Sequence, residues 1–118
     1  MRVFGRWKGT ALALALAGVP AVAGAASFDC AKAAAPDEIA ICASRALDDA
    51  DVEMATRYDM LLQLLAMGAA GDLRDSQRAF LKTRAACGSD EACLTRAYAD
   101  RIAALKKGFA AIVAMGPF

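Results

Sequence analysis

Residues 77–105 read QRAFLKTRAACGSDEACLTRAYADRIAAL, and two helical patterns meet in this stretch at Gly88. Cys87 precedes that glycine and Cys93 follows it. A bond between these two cysteines would fix the point at which one helix ends and the next begins. The sequence therefore predicts a covalently closed helical hairpin, against which the upstream residues fold.

Apolar residues recur three or four positions apart on both sides of this break, which is the spacing of one helix face. The expected inner face of the preceding helix includes two polar residues, Gln77 and Arg84. A buried polar group is costly unless it is paired, so both are expected to be hydrogen-bonded near the edge of the core. One hypothesis pairs Arg84 with Asp51 on an upstream helix. The face after the break consists of Leu94, Tyr98, Ile102 and Leu105.

Two further helices are predicted upstream of this hairpin. Pro36 fits the first position of a short helix, Pro36–Ala43, because an N–H at that position has no partner within the helix. Ser44 fits the N-cap of a second helix of about twenty residues. Its apolar face consists of Leu47, Ala50, Met54, Tyr58, Leu61, Leu62 and Leu65. Residues 68–71, Gly-Ala-Ala-Gly, are predicted to form a linker, after which Asp72 caps the third helix.

After the first 25 residues, no run of alternating apolar and polar residues is bounded by hairpin turn residues, so a sheet is not expected. The predicted fold is all-α, a small disulfide-stapled domain of one short and three longer helices over residues 26–108. Two lysines followed by Gly108 form a typical helix C-terminus. Residues 109–118, FAAIVAMGPF, are an apolar tail. The tail either continues the fourth helix and packs on the core or forms an exposed contact surface.

Residues 1–25 have the composition of a secretory signal peptide. Three basic residues and no acidic one precede an apolar run, and Ala23-Gly24-Ala25 provides small residues at the two positions that a signal peptidase reads. The run is interrupted by Pro20 and is shorter than the roughly 20 residues of a membrane-spanning helix. Cleavage is expected after Ala25 or Ala26, which predicts a periplasmic or secreted protein without stable membrane insertion.

The four cysteines are expected to form two disulfides, because an even number in a short exported chain is typical of a disulfide framework. Their spacing does not resemble the tight pairs of structural zinc sites, so no metal is expected. Three connectivities are possible. The local one is favoured because each of its pairs brackets a predicted turn. It joins Cys30 with Cys42 and Cys87 with Cys93.

Composition argues against nucleic-acid binding and against catalysis. Removal of residues 1–25 would leave 11 basic residues against 13 acidic ones, a net charge of −2, which is unfavourable for a nucleic-acid partner. The chain has no histidine, the usual general base near neutral pH, and no glycine-rich phosphate loop. The sequence therefore predicts a protein-binding domain without enzymatic activity and without a cofactor.

Four acidic residues lie in the opening turns of the second predicted helix, where they are expected in solvent. They complement the helix dipole, or they form an acidic patch that attracts a basic protein partner. The second interpretation makes them the candidate partner-binding residues. They are Asp48, Asp49, Asp51 and Glu53.

These patterns together resemble the LprI-type lysozyme-inhibitor-like family over about residues 28–105. The most specific motifs are Q-R-x-F-L-x-x-R-x-x-C at residues 77–87 and C-L-x-x-x-Y-x-x-R-I at residues 93–102. The upstream part of the resemblance consists of Cys30, Lys32, Ala33, Glu38, Ile41, Cys42, Leu47, Asp51 and Tyr58. Members often carry tryptophan at the position of Phe80 and proline at that of Arg45, whereas all four cysteines are retained here.

The resemblance implies an exported helical domain that inhibits lysozyme by protein–protein binding. The alternative is a structural or adaptor domain of the cell envelope that binds another protein through residues 109–118 or through a groove between helices. The two differ in their expected response to salt, since binding through charges weakens as ionic strength rises and apolar association tolerates salt.

Overall fold

The computed structural model describes residues 26–117, and the signal peptide predicted at residues 1–25 lies outside this part of the chain. A 3-10 turn, Cys30–Lys32, is followed by four α-helices. They are α1 (Pro36–Ala43), α2 (Arg45–Leu64), α3 (Met67–Ala86) and α4 (Glu91–Val113). Residues 26–117 contain no strand, and the all-α prediction of one short and three longer helices is confirmed.

Local capping residues define where the helices begin. Pro36 occupies the first turn of α1, and both predicted ends of that helix are confirmed. The Ser44 hydroxyl accepts a hydrogen bond from the backbone N–H of Leu47 at 3.4 Å, which confirms the predicted cap of α2. Asp90 caps α4 in the same way, because its Oδ1 accepts from the N–H of Cys93 at 3.0 Å. Each cap satisfies a donor that the first turn leaves unpaired.

The linker predicted at residues 68–71 is wrong, because these residues form the first turns of α3. The helix begins at Met67, and the residue before it, Ala66, makes no side-chain capping hydrogen bond. Asp72, the predicted cap, lies inside the helix. Ala70 is buried, and its N–H donates to the carbonyl of Ala66 at 2.8 Å. Glycine lowers helix stability, but Ala69 and Ala70 between the two glycines have high helix propensity. Burial of Ala70 against the core also favours the helix.

The core lies mainly between α2 and α4, which make the most extensive contact between helices. Phe80 from α3 packs edge-to-face on Tyr98 of α4, with ring centroids 5.4 Å apart. Gly108 allows α4 to lie close to Leu61 of α2, since a Cβ there would be 3.0 Å from the Leu61 side chain. The buried side chains of the hydrophobic core cluster are Ile41, Leu47, Met54, Leu61, Phe80, Leu94, Tyr98 and Leu105.

The structure contains the local pair of disulfides. Cys30–Cys42 ties the 3-10 turn to α1, and Cys87–Cys93 closes the turn between α3 and α4. Gly88 in that turn has a φ of +56°, a conformation that glycine adopts without a Cβ penalty. In the chain-entropy model, loops this short contribute about 2 to 3 kcal/mol of stability each.

The fourth helix continues past the predicted end at Gly108 and reaches Val113. Its last turns give a mixed outcome for the two interpretations of the apolar tail. Ile112 packs against the core, whereas Phe109, Val113 and Met115 are exposed. The tail therefore extends the core by one side chain and leaves an apolar surface beyond it.

A glycine inside a helix and a glycine with positive φ predict opposite effects of substitution by alanine on stability. Gly71→Ala is expected to raise the free energy of unfolding by roughly 0.5 to 1 kcal/mol, because alanine favours the helix and its Cβ would meet no atom within 4 Å. Gly88→Ala is expected to lower it by about 1 kcal/mol, because its φ is positive. Urea unfolding with intact disulfides measures both. A less stable Gly71→Ala variant would contradict the position of α3.

Candidate functional site

The four acidic residues of the predicted partner-binding patch divide between the inside and the outside of α2. Asp51 is 0% exposed and Asp48 is 6% exposed, so the expectation that they lie in solvent is wrong. Their positions follow from the helical period, since Leu47, Asp51 and Met54 share one face of α2, and that face packs on the core. Asp49 lies on the surface and Glu53 is partly exposed.

Asp51 is hydrogen-bonded through both carboxylate oxygens. Its Oδ1 accepts from the Tyr98 hydroxyl at 2.7 Å, and its Oδ2 accepts from the backbone N–H of Ser27 at 2.6 Å. Arg84 Nη1 lies 3.7 Å from Oδ1, which confirms the hypothesised pairing of Arg84 with Asp51. Asp51 therefore connects α2 to α3, to α4 and to the chain before the first disulfide.

The shortest ionic contact of Arg84 is with a residue that the sequence interpretation missed. Its Nε donates to Asp37 Oδ2 at 2.8 Å, and its guanidinium carbon lies 5.4 Å from the centre of the Phe28 ring. Asp37 lies in the first turn of α1, where an acidic residue also complements the helix dipole. Its spacing of four residues from Ile41 could have placed it on the buried face. Asp37, Asp51, Arg84 and Tyr98 are called the buried ionic cluster below.

Burial and the contacts within the cluster determine the protonation states of Tyr98 and Arg84. Burial, and then the hydrogen bond donated to Asp51, raise the pKa of Tyr98 above its ordinary value. Burial opposes the charge of Arg84, but contacts with Tyr98 and Asp37 leave its pKa raised. Tyr98 thus remains a neutral donor at neutral pH and Arg84 remains a cation. Such a group holds the helices together through charge and hydrogen bonds.

A second group of polar side chains surrounds Arg101, close to Phe80. Arg101 Nε donates to Gln77 Oε1 at 3.0 Å, and its Nη1 donates to Ser76 Oγ at 3.2 Å. The predicted pairing of Gln77 near the core edge is confirmed. Arg101 also lies 6.0 Å from the centre of the Phe80 ring, and burial lowers its pKa. Neutral acceptors and an aromatic face thus hold this buried cation.

The outward side of α2 carries the two accessible acidic residues of the predicted patch. Asp49 is 3.9 Å from Arg45, and both side chains are well exposed. Glu53 accepts from Arg57 at 2.8 Å, and this hydrogen bond lowers its pKa. The exposed side chain of Val52 lies beside them on the same side of the helix. This surface, called the outer face of α2 below, combines one apolar side chain with charges of both signs.

A second accessible surface lies where the end of α2 meets the end of α4. Phe109 and Val113 from α4 are 44% and 56% exposed, and Met60 and Leu64 from α2 are 55% and 53% exposed. Leu64, Phe109 and Val113 also line an open cavity of about 510 Å³. These four side chains are called the apolar end below.

Residues 26–117 contain no group of three or more histidine, cysteine, aspartate or glutamate side chains that could hold a metal ion. None of the helices in this part of the chain is long and apolar enough to span a membrane. The outer face of α2 and the apolar end are two candidate contact surfaces.

A family model described as "Lysozyme inhibitor LprI" matches residues 30–105. The chain belongs to this family. The matched region contains both disulfides and the whole buried ionic cluster. It excludes Phe109 and Val113 of the apolar end. No curated protein and no solved structure matches the chain.

Removal of the Arg84 guanidinium from the buried ionic cluster is expected to destabilise the fold. Arg84→Met should lower the free energy of unfolding by about 3 to 5 kcal/mol, because Asp37 and Asp51 would remain buried without it. Arg78→Met is the matched control on the same helix. Its side chain is 69% exposed and pairs only with Asp75, so a change within about 0.5 kcal/mol is expected. Equal effects in urea unfolding would contradict a stabilising role for the cluster.

Proposed function

We propose that this protein is exported and inhibits lysozyme by binding it, without chemistry of its own. The observation that carries the proposal is membership of the LprI family over residues 30–105. Two disulfides support an extracytoplasmic site of action, since such bonds persist in oxidising compartments. The composition of residues 1–25 supports export through a cleaved signal peptide, to the periplasm or beyond it.

The outer face of α2 is the proposed contact surface. Val52 supplies an exposed apolar side chain, and Asp49 and Glu53 beside it supply negative charge. Protein interfaces commonly combine apolar and polar side chains in this way. Many lysozymes are basic, so these carboxylates favour encounter with the enzyme. Asp48 and Asp51 take no direct part, because both are buried.

Inhibition in this proposal is steric. The substrate cleft of a glycoside hydrolase carries a pair of carboxyl groups, and a rigid helix lying across the cleft excludes the polysaccharide. Rigidity of α2 comes from its inner side, where Asp51 is bonded to Tyr98 and to the backbone of Ser27. A helix held in this way loses little conformational entropy on binding.

The experiment is a titration of lysozyme activity on cell-wall substrate with the oxidised protein, purified after export. Dose-dependent inhibition that is lost when both disulfides are reduced is the expected result. Absence of inhibition of every lysozyme class at high molar excess would refute the proposed function. A reduced sample that inhibits equally well would show that the folded helices are not needed.

The contact surface has its own test. The double variant Asp49→Asn with Glu53→Gln is expected to weaken inhibition about three- to tenfold and to reduce its dependence on salt, because rim charges act mainly on encounter. Asp75→Asn with Asp100→Asn is the control, since both residues are exposed and lie on α3 and α4. Equal weakening by the two double variants would place the contact elsewhere.

The alternative function is that of an envelope adaptor, which the exposed side chains of the apolar end favour. A protein held there would bind through apolar contact and would tolerate high salt. Phe109→Gln with Val113→Gln is expected to abolish such binding, whereas Ile39→Gln, an exposed apolar residue on α1, should not. If Phe109→Gln with Val113→Gln leaves lysozyme inhibition unchanged, the two surfaces act independently.

A further inference from the structure

The buried ionic cluster has an excess of negative charge within residues 26–117. Asp37 and Asp51 are 3% and 0% exposed. Arg84 is the only described lysine or arginine within 4 Å of either carboxylate. Tyr98 is neutral, so two buried anions share one cation. An unbalanced charge is unfavourable in a protein interior, which suggests that a further cation belongs to this cluster in the finished protein.

The backbone nitrogen of Ser27 occupies the position that such a cation would take. It lies 2.6 Å from Asp51 Oδ2, within hydrogen-bond distance of the carboxylate. The chain is held in this place from both sides, because Phe28 packs beneath the Arg84 guanidinium and Cys30 is bonded to Cys42 on α1. The nitrogen of residue 27 is thus fixed beside the cluster by its neighbours in sequence.

The bond before Ser27 is also one that a signal peptidase can cut. Gly24 and Ala26 provide small residues at the third and first positions before it. Cleavage after Ala25 would instead leave Ala26 as the first residue and keep the Ser27 nitrogen as an uncharged amide. The position of cleavage therefore decides whether the cluster receives a positive charge at this atom.

We propose that Ala26–Ser27 is the maturation site and that the new α-ammonium group of Ser27 becomes the second cation of the buried ionic cluster. This inference rests on the proposed export of the protein. Hydrolysis breaks the C–N bond between Ala26 and Ser27. The oxygen of water passes to the Ala26 carboxylate, and the Ser27 nitrogen takes up protons to become the ammonium. Processing then stabilises the fold that it releases, since the ammonium pairs with Asp51 by a charge-assisted hydrogen bond.

The pairing gives stability a specific dependence on pH. The groups that face the ammonium or lie beside its partner come from all four helices: Asp37 from α1, Asp48 and Asp51 from α2, Arg84 from α3 and Tyr98 from α4. An α-amino group ordinarily has a pKa of about 7.7 to 8.0, and a carboxylate partner raises it in the folded state. The stabilisation is therefore complete below about pH 7.7 and is lost as pH rises through the higher, folded-state pKa.

The first measurement is the intact mass of the exported, oxidised protein. A mature chain that begins at Ser27 is expected. A chain that begins at Ala26, or at any other residue, overturns the inference while leaving the proposed export in place. A full-length product would refute export itself, and the inference with it.

The second measurement removes the charge and keeps the N–H donor. The mature protein is unfolded in urea with its disulfides intact, acetylated on the α-amino group at pH 6.5, and refolded. Acetylation is expected to reduce the folding equilibrium constant at least tenfold at pH 7 and to have little effect at pH 10. An acetylated protein as stable as the unmodified one at pH 7 would overturn the inference.

Asp51→Asn provides the control for the partner, since acetylation should then have no further effect on stability. Where this variant does not fold, the reactivity of the α-amino group in the native protein replaces it. Acetic anhydride is expected to modify the folded protein at least tenfold more slowly than the urea-unfolded protein at the same pH. Equal rates in the two states would overturn the pairing.

Discussion

The Arg84 guanidinium and the two carboxylates that share it, together with Tyr98, connect the four helices of residues 26–117. Asp37 brings α1 to the cluster, Asp51 brings α2, and Tyr98 adds α4 through its hydroxyl. The hydrogen bond from Ser27 extends the same network to the residues before the first disulfide. Because each group is buried, any packing that separates them leaves a charge without a partner. The cluster thus favours the one arrangement of the four helices that brings these groups together.

Because Asp51 belongs to this cluster, the acidic residues at the start of α2 do not form a single surface patch. Residues that look alike in sequence serve two purposes, because the helical period turns Asp48 and Asp51 inward and Asp49 outward. The inner pair belongs to the fold, and only the outer side is available to a partner. On that side Arg57 and Arg45 offset much of the negative charge of Asp49 and Glu53.

The first and the last residues that the structure describes differ in how closely they are attached to the rest of the fold. Upstream, Cys30–Cys42 and the contact of Phe28 with Arg84 bind the chain to the cluster. Downstream, α4 runs beyond the family match and buries only Ile112 in its last turn and a half. Phe109 and Val113 remain exposed because α2 ends at Leu64 and offers no further surface to cover them. Of the apolar end, Met60 and Leu64 therefore lie within the matched family region, and Phe109 and Val113 lie outside it.

The sequence by itself determined the helical class, the bounds of α1, the Ser44 cap and the turn at Gly88. These features depend on neighbouring residues, through capping groups, proline geometry and the 3.6-residue period. The local disulfide pairing and the need of Gln77 and Arg84 for partners also followed from position along the chain. Only the tertiary structure decided that Asp37 shares Arg84, that Asp51 is fully buried, and that Gly68 and Gly71 lie inside a helix. Each of these depends on residues distant in sequence, because the helix faces that meet determine which groups are buried and which charges pair. Where burial and local helix propensity conflict, burial has the larger effect.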